Sequence, residues 1–371
     1  MSIRRPAETF HPGEFLREEL DARGWSQSDF AAILDRPMRL VNEIVVGKRG
    51  ISPEVARLLG AALGTSAELW MNLDASYQLG RLRGDDSDDV AIRARLYSKA
   101  PIREMVRRGW IESSENVAIL EKRICSFLGV KTLDDQPTLA HAARKASPYD
   151  IITPSQGAWL ARAKELARMT GAALWLPSNL KSLVKQLVGL LPDAESVRQV
   201  PELLGRAGIR FVVVEPLAGS KIDGACMWDD QVPTVALSLR FDRIDYFWFT
   251  LFHELGHVSD GKDALDIDQE GVFADSEISV SEKRADRFAT ENLLPEAKLG
   301  NFIDQTRPRY SSRQITEFAG TVQVHPGIVV GQLHHRKEVT YRNFRQMLVP
   351  VRRELVDAAV SDGWGSGPMR N

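Results

Sequence analysis

A dense run of apolar residues in the second half of the chain predicts a helix that is buried on most sides. Between positions 242 and 261, a large apolar side chain falls on nearly every turn of such a helix. These side chains are Phe247, Trp248, Leu251, Phe252, Leu255 and Val258. A helix that is apolar around most of its surface belongs in a protein core.

A second helix is predicted downstream, because Ala285, Phe288, Ala289 and Leu293–Leu294 recur at helical spacing and Pro295 stops the pattern. Upstream, short apolar runs separated by Gly and Pro predict the strands of a small sheet. The runs are Ile209–Val214, Ala225–Trp228 and Thr234–Leu239.

We place an exposed edge of this sheet at Val235–Leu239, where an extended peptide could bind as an added strand. The three strands are equally compatible with the ordinary sheet core of a domain that has no catalytic role.

Five short helices are predicted at the N-terminus. Ser26 is placed as an N-cap with Asp29 three residues on, and Pro37 suits the first position of the third helix. A tight connection at Asp35–Arg36 separates the second helix from the third. The first helix opens in the stretch from His11, the second follows Ser26, the third covers Pro37–Val46, the fourth follows from Ser52-Pro53, and the fifth is Ser66–Leu79. This arrangement is typical of a helix-turn-helix domain, whose recognition helix reads the major groove. The alternative is a small helical bundle used only for protein contacts, since the region has no excess of basic over acidic residues.

Chemistry is concentrated in the segment His253-Glu254-Leu255-Gly256-His257. Imidazoles four positions apart lie on one face of a helix and can bind one Zn²⁺ ion, while Glu254 is placed to act as a general base. The alternative is a pair of core histidines bonded to backbone carbonyls, with Glu254 paired to an arginine.

A catalytic zinc needs a third protein ligand. Glu282, in the first turn of the second helix, is one candidate, and Asp286, one turn later, is its competitor. Ser279 and Glu282 also have the spacing of a capping box, so the residues alone leave the role of Glu282 open. Tyr246 and His325 are candidates for stabilising an oxyanion, although the pattern around His325 favours a structural helix start.

The motif HELGH, followed by E-x-x-A-x-x-F-A-x-x-L-L-P, resembles the ImmA/IrrE-type metallopeptidases. The resemblance covers the last part of the chain. It implies that His253, His257 and Glu282 hold zinc and that Glu254 is the catalytic base. Asp286 falls where that family often has asparagine, which implies an indirect or capping role.

The N-terminal segments HPGEFLREEL, SQSDFAAIL, VNEIVVGKRGIS and ALGTSAELWMNL resemble the HigA-type antitoxin subgroup of Cro/C1 helix-turn-helix domains. The resemblance implies operator DNA as a partner, a homodimer, and a toxin as a further partner.

The candidates for DNA contact lie in the second and third helices and in the turn that follows. Arg39 and Asn42 are placed on base edges, and Gln27, Lys48 and Arg49 on phosphates. Each charged residue among these candidates could instead be a solvated surface residue with no contact to DNA. Pro37-Met38-Arg39-Leu40 departs from the small polar residues usual in the group, so we expect narrow base readout.

Composition fits a cytoplasmic protein without a membrane role. The formal net charge is −2, and no apolar run of membrane-spanning length or signal peptide is present. The two cysteines, Cys125 and Cys226, are far apart and suit a reducing compartment.

We therefore predict an α+β multidomain protein with an all-α helix-turn-helix bundle, a helical middle region and a zincin-like α+β domain. The predicted ranges are 8–80 for DNA binding, 81–89 for a linker, 90–200 for the middle region, 201–340 for the peptidase-like domain and 341–371 for a tail. The expected function is a DNA-binding transcriptional regulator whose zinc peptidase cleaves a regulatory protein, either a toxin or a repressor. The alternative is an antitoxin-like repressor whose zinc domain is non-catalytic and serves sensing or partner binding.

Overall fold

The computed structural model describes residues 10–81, 85–135, 152–261, 263–267 and 280–362. The chain folds into two compact units, residues 1–91 and residues 92–371. Within the described ranges, no helix is both long and apolar enough to cross a membrane.

The N-terminal unit is built from short capped helices around a small apolar core. Its helices are α1 (Pro12–Arg23), α2 (Gln27–Leu34), α3 (Met38–Val45), α4 (Pro53–Leu63) and α5 (Ala67–Arg81). Ser26 caps α2 in a reciprocal capping box with Asp29, as the sequence predicted. Phe30 and Trp70 are fully buried in the core.

The turn between α2 and α3 is tight because Asp35 adopts a left-handed conformation, with φ of 50°. Pro37 is the N-cap of α3 and not its first helical residue, so that detail of the prediction was wrong. Its ψ of 137° is extended, which turns the chain into the helix at Met38.

Helix α6 (Asp85–Lys99) begins inside the range 81–89 that the sequence assigned to a linker. The helices that follow in the C-terminal unit are α7 (Ile102–Arg107), α8 (Val117–Leu128), α9 (Pro154–Arg168), α10 (Asn179–Val188), α11 (Val200–Ala207), α12 (Ile244–Asp260), α13 (Val280–Leu293), α14 (Glu296–Thr306), α15 (Ser312–Val322), α16 (Pro326–His335) and α17 (Arg352–Val356). Two 3₁₀ segments lie at Ala194–Gln199 and Arg345–Met347.

A mixed five-stranded sheet accompanies these helices, in the order β4-β2-β3-β1-β5. The strands are β1 (Arg210–Val213), β2 (Ile222–Asp229), β3 (Val232–Leu237), β4 (Ala264–Ile267) and β5 (Val360–Ser361). β3 pairs antiparallel with β2 and parallel with β1. The expected edge at Val235–Leu239 is therefore wrong, because β3 already has a hydrogen-bonded neighbour on each side.

The last strand comes from the range that the sequence assigned to a tail. β5 pairs in parallel with β1, and Asp362 directly after it is buried. Asp362 accepts hydrogen bonds from the indole of Trp110 at 2.9 Å and from Nε of Arg162 at 3.1 Å. Hydrogen bonds from Trp110 and Arg162 thus hold Asp362 in place at the end of the described residues.

Helix α12 is as deeply buried as its apolar pattern predicted. The six apolar residues named at the outset are each exposed by 2% or less. They pack against the sheet on one side and against α13 and α16 on others, so α12 forms the central element of the C-terminal core.

Candidate metal centre and helix-turn-helix surface

Helices α12 and α13 approach closely because small residues meet where they cross. A Cβ atom added to Gly256 would lie 2.8 Å from the Cα atom of Ala285, closer than packed atoms tolerate. This crossing lies between the two histidines of α12 in sequence. It brings the first turns of α13 within side-chain reach of both imidazoles.

Three potential metal ligands meet at this crossing. His253 Nε2 lies 3.2 Å from Glu282 Oε2, and His257 Nε2 lies 3.6 Å from Glu282 Oε1. The two Nε2 atoms are 3.0 Å apart. The structure therefore brings together His253, His257 and Glu282, which the sequence named as ligands. Ser279, the capping alternative for Glu282, lies outside the described residues.

The donor set and its spacing fit a zinc ion. Two imidazole nitrogens and one carboxylate oxygen are a common set for catalytic zinc. In a tetrahedral site with metal–ligand bonds of about 2.0–2.1 Å, neighbouring ligand atoms lie about 3.3 Å apart. The two Nε2 atoms, 3.0 Å apart, and the His253 Nε2–Glu282 Oε2 pair, at 3.2 Å, lie near that value, while the 3.6 Å contact of His257 is to the other carboxylate oxygen, Oε1. The cluster could close around one ion with small side-chain adjustments.

The other ring nitrogens of the histidines point to polar partners on α13. His253 Nδ1 lies 3.0 Å from Asp286 Oδ1, and because a carboxylate only accepts, the ring donates its Nδ1 hydrogen. In the neutral ring this leaves a lone pair on Nε2, directed at the cluster. His257 Nδ1 lies 3.5 Å from the Ser281 hydroxyl. Asp286 thus orients a histidine and does not itself join the three-residue cluster.

Glu282 is held as a carboxylate. Burial alone raises its pKa, but when His253 and His257 are protonated their hydrogen bonds and charge outweigh burial and lower the pKa of Glu282 to about 2. The side chain is consequently ionised near neutral pH, which is the form that binds a metal.

Glu254, the predicted base, is fully buried beside the ligands and packs over strand β2. A Cβ atom at Gly224 would lie only 2.5 Å from Glu254 Oε1, so the absence of a side chain at position 224 makes room for this carboxylate. Sequence reasoning missed Gly224. The available signal was a glycine inside a strand, which often marks a close approach.

The thiol of Cys226 lies on the same strand. Burial first, and the nearby charge of Glu254 second, raise its pKa well above the ordinary value. This cysteine is therefore a neutral thiol at neutral pH and a poor nucleophile.

The two candidate oxyanion stabilisers occupy different positions. Tyr246 precedes His253 by two helical turns on α12, about 10 Å along the axis, which is too far to reach an atom bound at the cluster. Burial raises the pKa of Tyr246 to about 12. His325 is the N-cap of α16, where its Nδ1 accepts the Gly327 backbone N–H at 3.0 Å. The ring of His325 therefore has the structural role that its sequence context favoured.

On the N-terminal unit, the predicted DNA-contact residues lie on α2, α3 and the turn after α3. Asn42 donates a hydrogen bond to Gln27 Oε1 at 3.1 Å, which joins the exposed side of α3 to the start of α2. Lys48 is exposed, as is Arg39, whose side chain is 88% accessible.

An acid that the sequence analysis did not single out pairs with two of these cations. Glu43 accepts hydrogen bonds from Arg39 Nε at 2.7 Å and from Arg49 Nη1 at 3.1 Å. The hydrogen bond from Arg39, more than any other contact, lowers the pKa of Glu43. The spacing of Arg39 and Glu43, four residues apart on one helix, was the signal that could have shown this pair.

The α2–turn–α3 arrangement with its exposed polar face defines a helix-turn-helix protein. The helix-turn-helix family model HTH_3 matches residues 16–70. Virulence-associated protein A' of Dichelobacter nodosus is 33% identical over 93 residues, which cover 25% of this chain and 81% of that protein. Virulence-associated protein I of the same organism is 40% identical over 83 residues, 22% of this chain and 76% of that protein. The chain therefore belongs to this helix-turn-helix family, through its N-terminal unit.

Two further proteins are similar to the N-terminal part of the chain. The uncharacterized HTH-type transcriptional regulator YddM of Escherichia coli K12 is 27% identical over 88 residues, 24% of this chain and 92% of that protein. The solved structure of the Pseudomonas aeruginosa antitoxin HigA with the higBA promoter contains a chain that is 42% identical in sequence to the matched part of this one. The match covers 20% of this chain and 80% of that chain, with a TM-score of 0.19. Each of these similarities covers a quarter of the chain or less.

Proposed function

We propose that the chain is an operator-binding transcriptional regulator whose C-terminal unit is a zinc-dependent peptidase that cleaves a regulatory protein. The observation that carries the peptidase half is the convergence of His253, His257 and Glu282 beside the buried carboxylate of Glu254. Ordinary packing rarely buries two imidazoles and two carboxylates together without a function that uses them.

His253, His257 and Glu282 would hold the zinc ion. Zinc bound there would polarise a peptide carbonyl and acidify water within its reach. Asp286 supports this role, because its bond to Nδ1 fixes the ring of His253 with Nε2 toward the ligand cluster.

Glu254 would move the proton. It lies next to His253 in sequence and is shielded from solvent, which strengthens its interaction with a nearby proton donor. It would accept a proton from the attacking water and deliver it to the nitrogen of the leaving amine. Gly224 contributes by leaving space for the carboxylate at the floor of the site.

The N-terminal unit would bring this activity to a promoter. Its family and its exposed polar side chains on α3 support binding of operator DNA in the major groove, as a homodimer on paired half-sites. The substrate would be a protein of the same regulatory circuit, either a toxin or a repressor.

Metal analysis combined with a cleavage assay tests the proposal. The wild type and Glu254→Gln are purified, their zinc content is measured, and each is incubated with the products of neighbouring genes. We expect both to hold zinc and only the wild type to cleave, whereas His257→Ala should lose the metal.

Two outcomes would contradict the proposal. Equal cleavage by Glu254→Gln would remove Glu254 from the mechanism. A zinc-loaded wild type that represses its promoter and cleaves none of these products would favour a regulator with a non-catalytic zinc site.

A further inference from the structure

Two partly exposed residues of α12 lie on the same helix face as the ligand histidines, toward the N-terminus of the helix. Every residue from Ile244 to Val258 is buried except Tyr246 and Phe249. Positions 246, 249, 253 and 257 follow the helical repeat and lie along one face. The two partly exposed aromatic residues are thus in line with His253 and His257.

A cavity of about 150 Å³ opens beside these two aromatic residues. Tyr246 and Phe249 form one wall, and Leu293 of α13 and Ile328 of α16 contribute aliphatic surface. Gln332 and Tyr341 lie at other sides of the cavity. A dry cavity of about this volume in another protein binds benzene, so the space suits one aromatic side chain.

The cavity lies within reach of a peptide bound at the ligand cluster. The rings of Phe249 and His253 are 6.2 Å apart, and the two residues are one helical turn apart. An extended peptide advances about 3.3 Å per residue. A side chain one or two positions from the cleaved bond would therefore arrive at the cavity.

Among the residues that line the cavity, the two with permanent charge neutralise each other, and the other basic residues are His334 and the exposed His335. Arg243 and Asp245, which also line it, bond each other through two contacts of 3.0 and 2.5 Å. His334 is buried on another side, and burial lowers its pKa, which keeps the ring neutral near pH 7. An acidic or basic side chain would lose its hydration in this cavity without gaining a free counter-charge.

We propose that this cavity is the specificity pocket of the peptidase and that it receives a large uncharged side chain, preferably aromatic, next to the cleaved bond. The proposal rests on the proposed function, because it takes the cluster at His253 as the place where the substrate is cut.

Binding of defined peptides to the full-length Glu254→Gln protein tests the pocket separately from catalysis. The probes are labelled decapeptides of Ala, Ser and Gly that carry Phe, Ala or Asp at one central position, and fluorescence anisotropy gives their affinities. Burial of one aromatic ring predicts binding of the Phe peptide at least about tenfold tighter than the Ala peptide, with the Asp peptide weakest.

A second variant blocks the cavity. Gln332→Trp, made in the Glu254→Gln background, should reduce the affinity for the Phe peptide to that for the Ala peptide, while Asp304→Trp on the exposed side of α14 should leave it unchanged. Zinc content and thermal unfolding show that both variants are folded.

The outcomes separate the two proposals. Equal binding of the Phe and Ala peptides, or a Phe preference that survives Gln332→Trp, overturns the pocket. Cleavage by the wild type with no preference near the cut bond overturns the pocket and leaves the peptidase intact. A Phe preference that depends on position 332, in a protein that cleaves no peptide, supports the pocket as a binding site and overturns the peptidase.

Discussion

His253 and Asp286 are joined by a hydrogen bond between Nδ1 and Oδ1, 3.0 Å long, that links the two helices of the candidate metal centre. The bond fixes which ring nitrogen carries the hydrogen and therefore which one presents a lone pair that can bind a metal. The sequence alone offers Asp286 as a competitor of Glu282 for the place of third zinc ligand. Its position behind the ring gives it a different task, the orientation of His253.

Replacement of Asp286 should weaken zinc binding without removing a ligand. We expect Asp286→Ala to lower the zinc affinity by about 10–100-fold, because a histidine without its carboxylate partner is less basic and less firmly oriented. Competition with a chromophoric chelator measures this affinity. Glu291→Ala, which removes an exposed carboxylate from the same helix, is the matched control. Equal affinities for the two variants would show that the Asp286 contact does not support the metal.

The close crossing of α12 and α13 should not tolerate even one added methyl group. Gly256→Ala places a Cβ atom 2.8 Å from the Cα of Ala285, which is backbone and cannot rotate away. The helices would have to separate, at a cost of about 1–3 kcal/mol in the free energy of unfolding, with weaker zinc binding. Urea unfolding and the chelator assay check both effects.

The control for this change is Gly300→Ala in the middle of α14, where nothing lies within 4 Å of the added atom. Alanine there should be neutral or stabilising by up to about 1 kcal/mol. If Gly256→Ala behaved like the control, the crossing would be looser than its geometry indicates.

Local patterns were sufficient to predict α12, α13 and the capped helices of the N-terminal unit, whereas the approach of Glu282 to the histidines was implied only by the resemblance of the two paired motifs to a known family. Each of these depends on residues close in sequence, or on a known pairing of two motifs. The spacing of His253 and His257 determines a helix face whatever surrounds it.

Features set by distant parts of the chain were not predictable in this way. β3 is not at an edge, because β1 pairs with it in parallel on the side away from β2, and β5, from a segment more than a hundred residues downstream, then pairs with the far side of β1. Strand order depends on such long-range pairing, which apolar alternation alone does not determine. The cavity beside Phe249 is another example, since three helices contribute to its walls.

Asp362 should be essential for the stability of the C-terminal unit. It is 1% exposed and lies against two buried arginines, at 3.1 Å from Arg162 and 3.9 Å from Arg108. Removal of the carboxylate takes from the two arginines their most buried partner and leaves them Glu104, Glu215 and Glu165, so we expect a cost near the lower end of the about 3–5 kcal/mol typical of a broken buried ion pair. We expect Asp362→Ala to lower the free energy of unfolding by this amount, as measured in urea.

The matched control is Asp357→Ala, an exposed aspartate in the same segment. With this surface substitution, the free energy of unfolding should stay within about 0.5 kcal/mol of the wild-type value. A small effect at both positions would mean that the arginines find other partners or solvent when Asp362 is lost.

Glu43 should restrain the affinity of the helix-turn-helix unit for DNA. It binds Arg39 and Arg49, two of the five residues expected to contact DNA, and places a negative charge on the recognition helix. Glu43→Gln would release Arg49 for its expected phosphate contact, and on a duplex that lacks the operator Arg39, with no matching base edge, could contact a phosphate as well, so we expect several-fold tighter binding to such a duplex. The salt dependence should become steeper by up to about two units in the slope of log K against log salt, measured between about 50 and 200 mM.

Glu18→Gln on α1 makes the same change in net charge at another exposed site, and it should alter the DNA affinity and the salt slope less than Glu43→Gln does. If the two variants shifted binding equally, the effect would come from overall charge, and the contacts of Glu43 with the two arginines would have no special influence on DNA binding.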